Sequence, residues 1–176
     1  NHVLGGNNLA FWPVGPIGRR AGLVFIRRKF GDDPVYKFAM RSYLAHLVEK
    51  RLNLEWYIEG GSSRSGKLRT PMLGLLSYVV DGVEQLDDID VLVVPTSIVY
   101  DQLAEVGAMA AEASGGTKKA ESIGALVKYA RGQRQHLGSA RVRFGEPFSM
   151  RDALAEAGEG RARLEKLAFK VMDGIN

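Results

Sequence analysis

Short apolar runs alternate with longer stretches of three- and four-residue apolar spacing along these 176 residues, and no other feature constrains the fold as strongly. The run Leu23-Val24-Phe25-Ile26 ends directly in Arg27-Arg28-Lys29 and is bounded upstream by Gly22, which predicts a buried strand. From Pro34 to Leu52, residues Tyr36, Met40, Tyr43, Leu44, Leu47, Val48 and Leu52 recur at helical spacing, with Pro34 in the first turn. Leu54–Ile58 reads as a second strand that stops at Glu59-Gly60-Gly61, where glycine permits a turn that a Cβ would resist. Pro71–Leu86 is a predicted helix, although the acids near its end match the helix dipole poorly. The β-branched run Val91–Ile98 predicts a central parallel strand buried on both faces. Ser122–His136 is predicted helical, Ala140–Phe144 a strand and Arg161–Met172 a helix, with Ala108–Lys119 expected as a mobile loop. Strand and helix in alternation imply an α/β fold, a mostly parallel central sheet flanked by helices. In such sheets functional groups gather beyond the carboxyl ends of the strands, where Arg27-Arg28 and Glu59–Lys67 both fall.

At this length one domain is expected, with a motif-bearing core over about 1–150 and a helical segment over 151–176. The chain opens on Asn1, without an initiator Met or signal-peptide pattern, and reads as a partial domain. No apolar run approaches the ~20 residues a membrane-crossing helix needs. The absence of cysteine excludes disulfides, thiolate metal sites and a Cys nucleophile, leaving three histidines for imidazole chemistry. The net charge of +4 hides a strong asymmetry. Residues 1–70 hold 12 Lys+Arg against 5 Asp+Glu, residues 71–116 hold none against 8, and residues 117–176 hold 12 against 7. The basic clusters Arg19-Arg20, Arg27-Arg28-Lys29 and Arg64-x-x-Lys67-x-Arg69 suit phosphate groups or an anionic lipid surface; they also suit a solvated basic face. No nucleic-acid-binding motif accompanies the charge.

The richest stretch is Glu59-Gly60-Gly61-Ser62-Ser63-Arg64-Ser65-Gly66-Lys67. Glycines let backbone N–H groups approach an anion, and Arg and Lys add charge-assisted hydrogen bonds to phosphate oxygens. It is not a nucleoside-triphosphate loop, which needs Ser or Thr after the Lys, whereas Leu68 follows Lys67.

Two strings carry a family resemblance. Phe11-Trp12-Pro13-x-Gly15-Pro16-Ile17-x-Arg19-Arg20-x-Gly22-x-x-Phe25-Ile26-Arg27-Arg28 and Tyr57-Ile58-Glu59-Gly60-Gly61-x-Ser63-Arg64-Ser65-Gly66-Lys67 closely resemble the bacterial-type, membrane-associated glycerol-3-phosphate acyltransferases. Val94-Pro95-x-x-Ile98-x-Tyr100 is similar to that family's fourth block, and Val142-x-Phe144-Gly145-Glu146-Pro147 to its later β segment. The resemblance covers about residues 1–150, in order. It implies a glycerolipid-acyltransferase fold. Arg27 and Arg28 would hold glycerol phosphate, while Glu59, Gly60, Ser62, Ser63, Arg64 and Lys67 would shape the acceptor pocket. Pro95 would sit at a strand end beneath the acyl chain or site floor, or equally serve only as a strand terminator.

The resemblance also implies the chemistry. A histidine base would deprotonate the sn-1 hydroxyl of glycerol 3-phosphate for attack on the thioester of acyl-CoA or acyl-carrier protein, giving lysophosphatidic acid, with an aspartate orienting the imidazole. No metal or further cofactor is implied, and the expected location is the cytoplasmic face of the cell membrane, held peripherally. Dihydroxyacetone phosphate is a variant acceptor.

Two departures matter. Ser62 stands where the family's third block has its first arginine, removing a contact of ~1.5–3 kcal/mol, or ~10- to 100-fold in affinity. The His-x4-Asp block is absent: Asn7 follows His2 by five residues, Arg51 follows His46 and Arg141 follows His136. The pair is expected upstream of Asn1, so no residue of this chain is assigned as catalytic. His46, near the apolar face of its helix, and His136, at a helix end, read as structural. The alternative function is a non-catalytic basic module on anionic lipid surfaces; Phe11 and Trp12 would serve it if exposed, but aromatics beside proline are expected inside.

Overall fold

The computed structural model describes residues 1–27, 30–61, 68–100 and 139–176. The expected Ser122–His136 helix and Ala108–Lys119 loop lie outside the described residues, as does His136. Contacts divide the chain into two compact units, 1–96 with 144–176, and 97–143.

In the first unit a three-stranded parallel sheet has the order β2-β1-β3, from β1 (His2–Gly6), β2 (Leu23–Ile26) and β3 (Leu54–Glu55). Its register pairs Gly6 with Ile26 on one side and Val3 with Glu55 on the other. The chain thus runs β1, α1 (Val14–Arg20), β2, α2 (Pro34–Glu49), β3, with helices carrying it between parallel strands as the alternation requires. The central strand β1 has no signal in the sequence. Two of its five residues are glycine, and its strand character comes from neighbours on both sides.

Helix α2 opens with Pro34 in its first turn, as expected, and Asp33 caps it by accepting the Tyr36 N–H at 3.0 Å. It ends before Leu52. Arg51 takes φ +53°, its N–H donates to Val48 O at 2.9 Å and the Leu52 N–H to Leu47 O at 3.0 Å, the paired bonds of a Schellman stop. Helix α3 (Leu73–Glu84) packs along α2, where Gly82 approaches the Ala45 backbone so closely that a Cβ would come 3.0 Å from Ala45 Cα. Helices α4 (Met150–Ala157) and α5 (Arg161–Ile175) complete the core.

That core is mainly helical. Leu44 and Leu47 of α2, Leu76, Val79 and Val83 of α3, Met150 and Leu154 of α4 and Leu167 of α5 are all buried, whereas Leu4 is the one buried residue among the described strands.

The run Val91–Ile98 is not a buried central parallel strand. Pro95 splits it into β4 (Leu92–Val93), antiparallel to β7 (Phe148–Ser149), and β5 (Thr96–Tyr100), paired with β6 (Ala140–Phe144). Leu92 is 65% exposed and Ile98 44% exposed. Proline cannot donate to a ladder, and here the break changes the strand's partner. In the second unit, the described part consists of the β5–β6 pairing.

The candidate acceptor site

Arg27 leaves the carboxyl end of β2, as expected. Its Nη1 donates to Asp33 Oδ2 at 2.9 Å, its backbone N–H donates to the Tyr36 hydroxyl at 2.9 Å, and its guanidinium lies over the Tyr36 ring, 4.5 Å from the centroid. The Tyr36 N–H and the Arg27 guanidinium hold the Asp33 carboxyl below the ordinary carboxylate range. Arg28 lies outside the described residues.

Beyond β3, Ile58 is buried and Glu59 half-buried. Glu59 Oε2 accepts the Arg69 backbone N–H at 2.7 Å, and Ile58 O accepts the Met72 N–H at 2.8 Å. These two bonds join the loop's ends. Gly60 makes the turn with φ +64°, its N–H donating to Tyr57 O at 2.9 Å, and Met72 occupies the space a Cβ would need. Glu59 therefore clasps backbone. Ser62, Ser63, Arg64 and Lys67 lie outside the described residues.

β2 and β3 flank β1 and run parallel to it, so Arg27 and Glu59 both follow carboxyl strand ends; the register offsets those ends, with Ile26 level with Gly6 and Glu55 level with Val3, three residues or about 10 Å along the strands. Pro95 lies between β4 and β5 rather than in the three-stranded sheet. Its carbonyl accepts the Gly145 N–H at 2.7 Å, and its ring packs against Gly174 of α5, so it terminates a strand and joins it to the last helix.

Neither described histidine bonds to Arg27 or Glu59. His2 lies at the amino end of β1, opposite the edge carrying Arg27, with Nδ1 buried and unbonded among the described residues. It lines an open cleft of about 360 Å³ with Arg19, Leu23, Phe25 and Tyr43. His46 lies on the exposed side of α2, not near its apolar face, with Nδ1 3.4 Å from Glu49. Trp12 corrects a second expectation: it is 74% exposed rather than packed inside. Among the described residues no cluster of His, Asp and Glu is arranged to hold a metal ion.

Sequence reasoning missed three residues: Asp33, Tyr36 and Trp56. Asp33 before Pro34 and an apolar-periodic stretch is a helix-cap signal that could have singled it out, but nothing local shows that the same carboxylate reaches Arg27. Trp56, just beyond β3, buries its indole N–H without a partner among the described residues.

Comparison with known proteins places the chain in a family. Residues 1–99 match the family described as Acyltransferase, and residues 109–176 match the glycerol-3-phosphate acyltransferase C-terminal region. The chain is 48% identical over 179 aligned residues to proteins provisionally named acyltransferase plsB1 in Mycobacterium bovis and in two strains of Mycobacterium tuberculosis. The match covers 99% of this chain and 29% of each relative, so the chain spans less than a third of their length. With its parallel sheet and flanking helices, and with over half its length matched, this chain belongs to the acyltransferase family.

Proposed function

We propose that this chain is the acceptor-binding part of an enzyme that transfers a fatty acyl group from acyl-CoA or acyl-carrier protein to the sn-1 hydroxyl of glycerol 3-phosphate, giving lysophosphatidic acid. The observation that carries this reading is that Arg27 and a loop whose ends Glu59 ties together both follow the carboxyl ends of parallel strands flanking β1. Such strand ends are where α/β sheets bind ligands, and a guanidinium there suits a phosphate monoester. Ser62, Ser63, Arg64 and Lys67 supply further donors within that loop's sequence. Arg28 would add a second guanidinium, and Gly60 the tight turn.

The base belongs to a His-x4-Asp pair supplied from outside these residues, since none of His2, His46 and His136 is followed by Asp at that spacing. The pair would remove the hydroxyl proton as the oxygen attacks the thioester carbon, and the thiol would leave protonated. Base catalysis contributes ~10²–10⁴-fold, so residues 1–176 alone turn over slowly. The test follows lysophosphatidic acid formation from palmitoyl-CoA and glycerol 3-phosphate, by residues 1–176 and by a longer protein that includes the pair. Only the longer protein is expected to react quickly, with Arg27→Ala raising its KM for glycerol 3-phosphate about tenfold or more. Rapid turnover by residues 1–176 would remove the need for an outside base. No product from the longer protein would overturn the enzyme reading.

A second reading, a module bound to anionic lipid on the cytoplasmic face of the membrane, gains support from Trp12. It is 74% exposed, and Ile17 of α1 is 62% exposed with Arg19 and Arg20 nearby. The two readings are compatible, since an enzyme making a lipid must meet a membrane. Vesicle binding lost with Trp12→Ala, but retained with Arg27→Ala, would assign the two surfaces separately.

A further inference from the structure

Arg27 is exposed for about half its side chain, yet its surroundings fix its direction. Asp33 engages Nη1, and the Tyr36 ring lies beneath the guanidinium plane. Tyr36 is anchored in turn. Its N–H is bound by the other oxygen of Asp33, and its ring meets Phe30 edge-on at 5.1 Å between centroids, while Phe30 stacks on Tyr78 at 6.2 Å. Tyr78 is buried in α3, so the mount for Arg27 runs from the core to the sheet edge. The Nε–Nη2 edge of the guanidinium has no bond to any described residue. Two parallel N–H groups on one edge are the geometry that binds two phosphate oxygens at once.

We propose that Asp33 and Tyr36 are positioning residues that aim the Nε–Nη2 edge of Arg27 at the phosphate monoester of the acyl acceptor, a reading that rests on the acceptor assignment above. Asp33 takes the far corner of the guanidinium, so the cation stands between the carboxylate and the incoming dianion. Tyr36 blocks one face and confines the ring plane. An arginine without these partners would spread over many rotamers and lose affinity in being ordered. The carboxyl of Asp33, held below its ordinary value, stays charged throughout the neutral range, as this role requires.

Asp33→Ser separates positioning from folding, because serine caps a helix about as well as aspartate but cannot hold Arg27 as an ion pair. The experiment titrates glycerol 3-phosphate calorimetrically into the wild-type chain, Arg27→Ala, Asp33→Ser and Tyr36→Phe, with a thermal melt of each. Asp33→Ser is expected to bind about tenfold more weakly with a melting temperature near wild type, and Arg27→Ala to lose binding. Tyr36→Phe keeps the ring and loses only the hydroxyl that accepts the Arg27 N–H, so a smaller loss, about threefold, is expected. Wild-type affinity in Asp33→Ser, alongside lost binding in Arg27→Ala, would overturn the positioning role and leave the acceptor assignment standing. Wild-type binding that is absent, or unchanged in Arg27→Ala, would overturn the acceptor assignment itself.

Discussion

At Gly60 a single backbone angle decides whether the loop after β3 can close. The residue turns at φ +64°, in the left-handed region that costs a residue with a Cβ about 1–2 kcal/mol. Met72 fills the adjacent space, but its side chain is 54% exposed and can move, so the backbone term dominates. Gly60→Ala is expected to lower unfolding stability by about 1 kcal/mol, read as a shift in urea midpoint at constant slope. The Glu59–Arg69 bond is part of the same closure, linking residues ten apart in sequence. Glycine at 60 was legible as a turn in the sequence. The partner of Glu59 was not, because an acid can bind any donor within reach and only the folded loop chooses the Arg69 N–H.

Among the elements, the carboxyl end of α3 shows how one helix completes another. Its last turn has no basic residue, and the sequence alone leaves its terminal carbonyls poorly matched. Arg151, on α4, supplies the missing charge. Its Nη2 donates to Val83 O at 2.8 Å and also to Leu86 O, and its Nε donates to Ile89 O at 2.7 Å. Arg163 of α5 adds an ion pair with Glu84. Arg151→Met keeps the stem and removes the donors, leaving three half-buried carbonyls to find water. A loss of about 2–4 kcal/mol is expected in chemical denaturation, from hydrogen bonds to a charged group of ~1.5–3 kcal/mol each, discounted for partial exposure. An unchanged midpoint would show that water replaces the arginine without cost.

Asp90 stands in the same joint. Burial pushes its carboxyl up, but the Ser149 hydroxyl and the N–H groups of Arg151 and Val91 outweigh this and leave it below the ordinary 3.8. A carboxylate depressed in the folded state stabilises the fold above its unfolded value, and that contribution fades as pH falls through the lower folded value. Wild type should therefore exceed Asp90→Asn in stability by a constant margin between about pH 5 and 8. The margin should shrink below about pH 4, in denaturation curves measured across that range.

Over the whole first unit, stability depends on helix packing more than on the sheet, because the buried residues come mainly from α2, α3, α4 and α5. The α2–α3 crossing depends on Gly82, where a Cβ would meet Ala45 Cα at 3.0 Å. Gly82→Val would force backbones apart that also carry Leu44, Leu76 and Val79. A loss of about 2–3 kcal/mol is expected by calorimetry, greater than the ~1 kcal/mol helix-propensity gain that replacing glycine can offer. An increase in melting temperature would mean that α2 shifts freely, contrary to the close packing described.

The sequence by itself determined the helices α2, α3 and α5, the strands β2 and β6, and the class of the fold, because those properties depend on periodicity and on residues near in the chain. It also carried the acyltransferase strings, since a motif is local by nature. Tertiary structure decided what depends on distant partners. Glycine-rich β1 became the centre of the sheet through neighbours 20 and 52 residues away in the register Val3↔Leu23 and His2↔Leu54. Val91–Ile98 lost its expected place in a parallel sheet because Pro95 splits it between β7 and β6. Pro34 marks the start of α2 in the sequence, but the hold of Asp33 on Arg27 is visible only once the chain has turned back from β2 into α2. Local spacing encodes what a segment can become; burial and hydrogen bonding between segments select which partner satisfies each backbone and each charge.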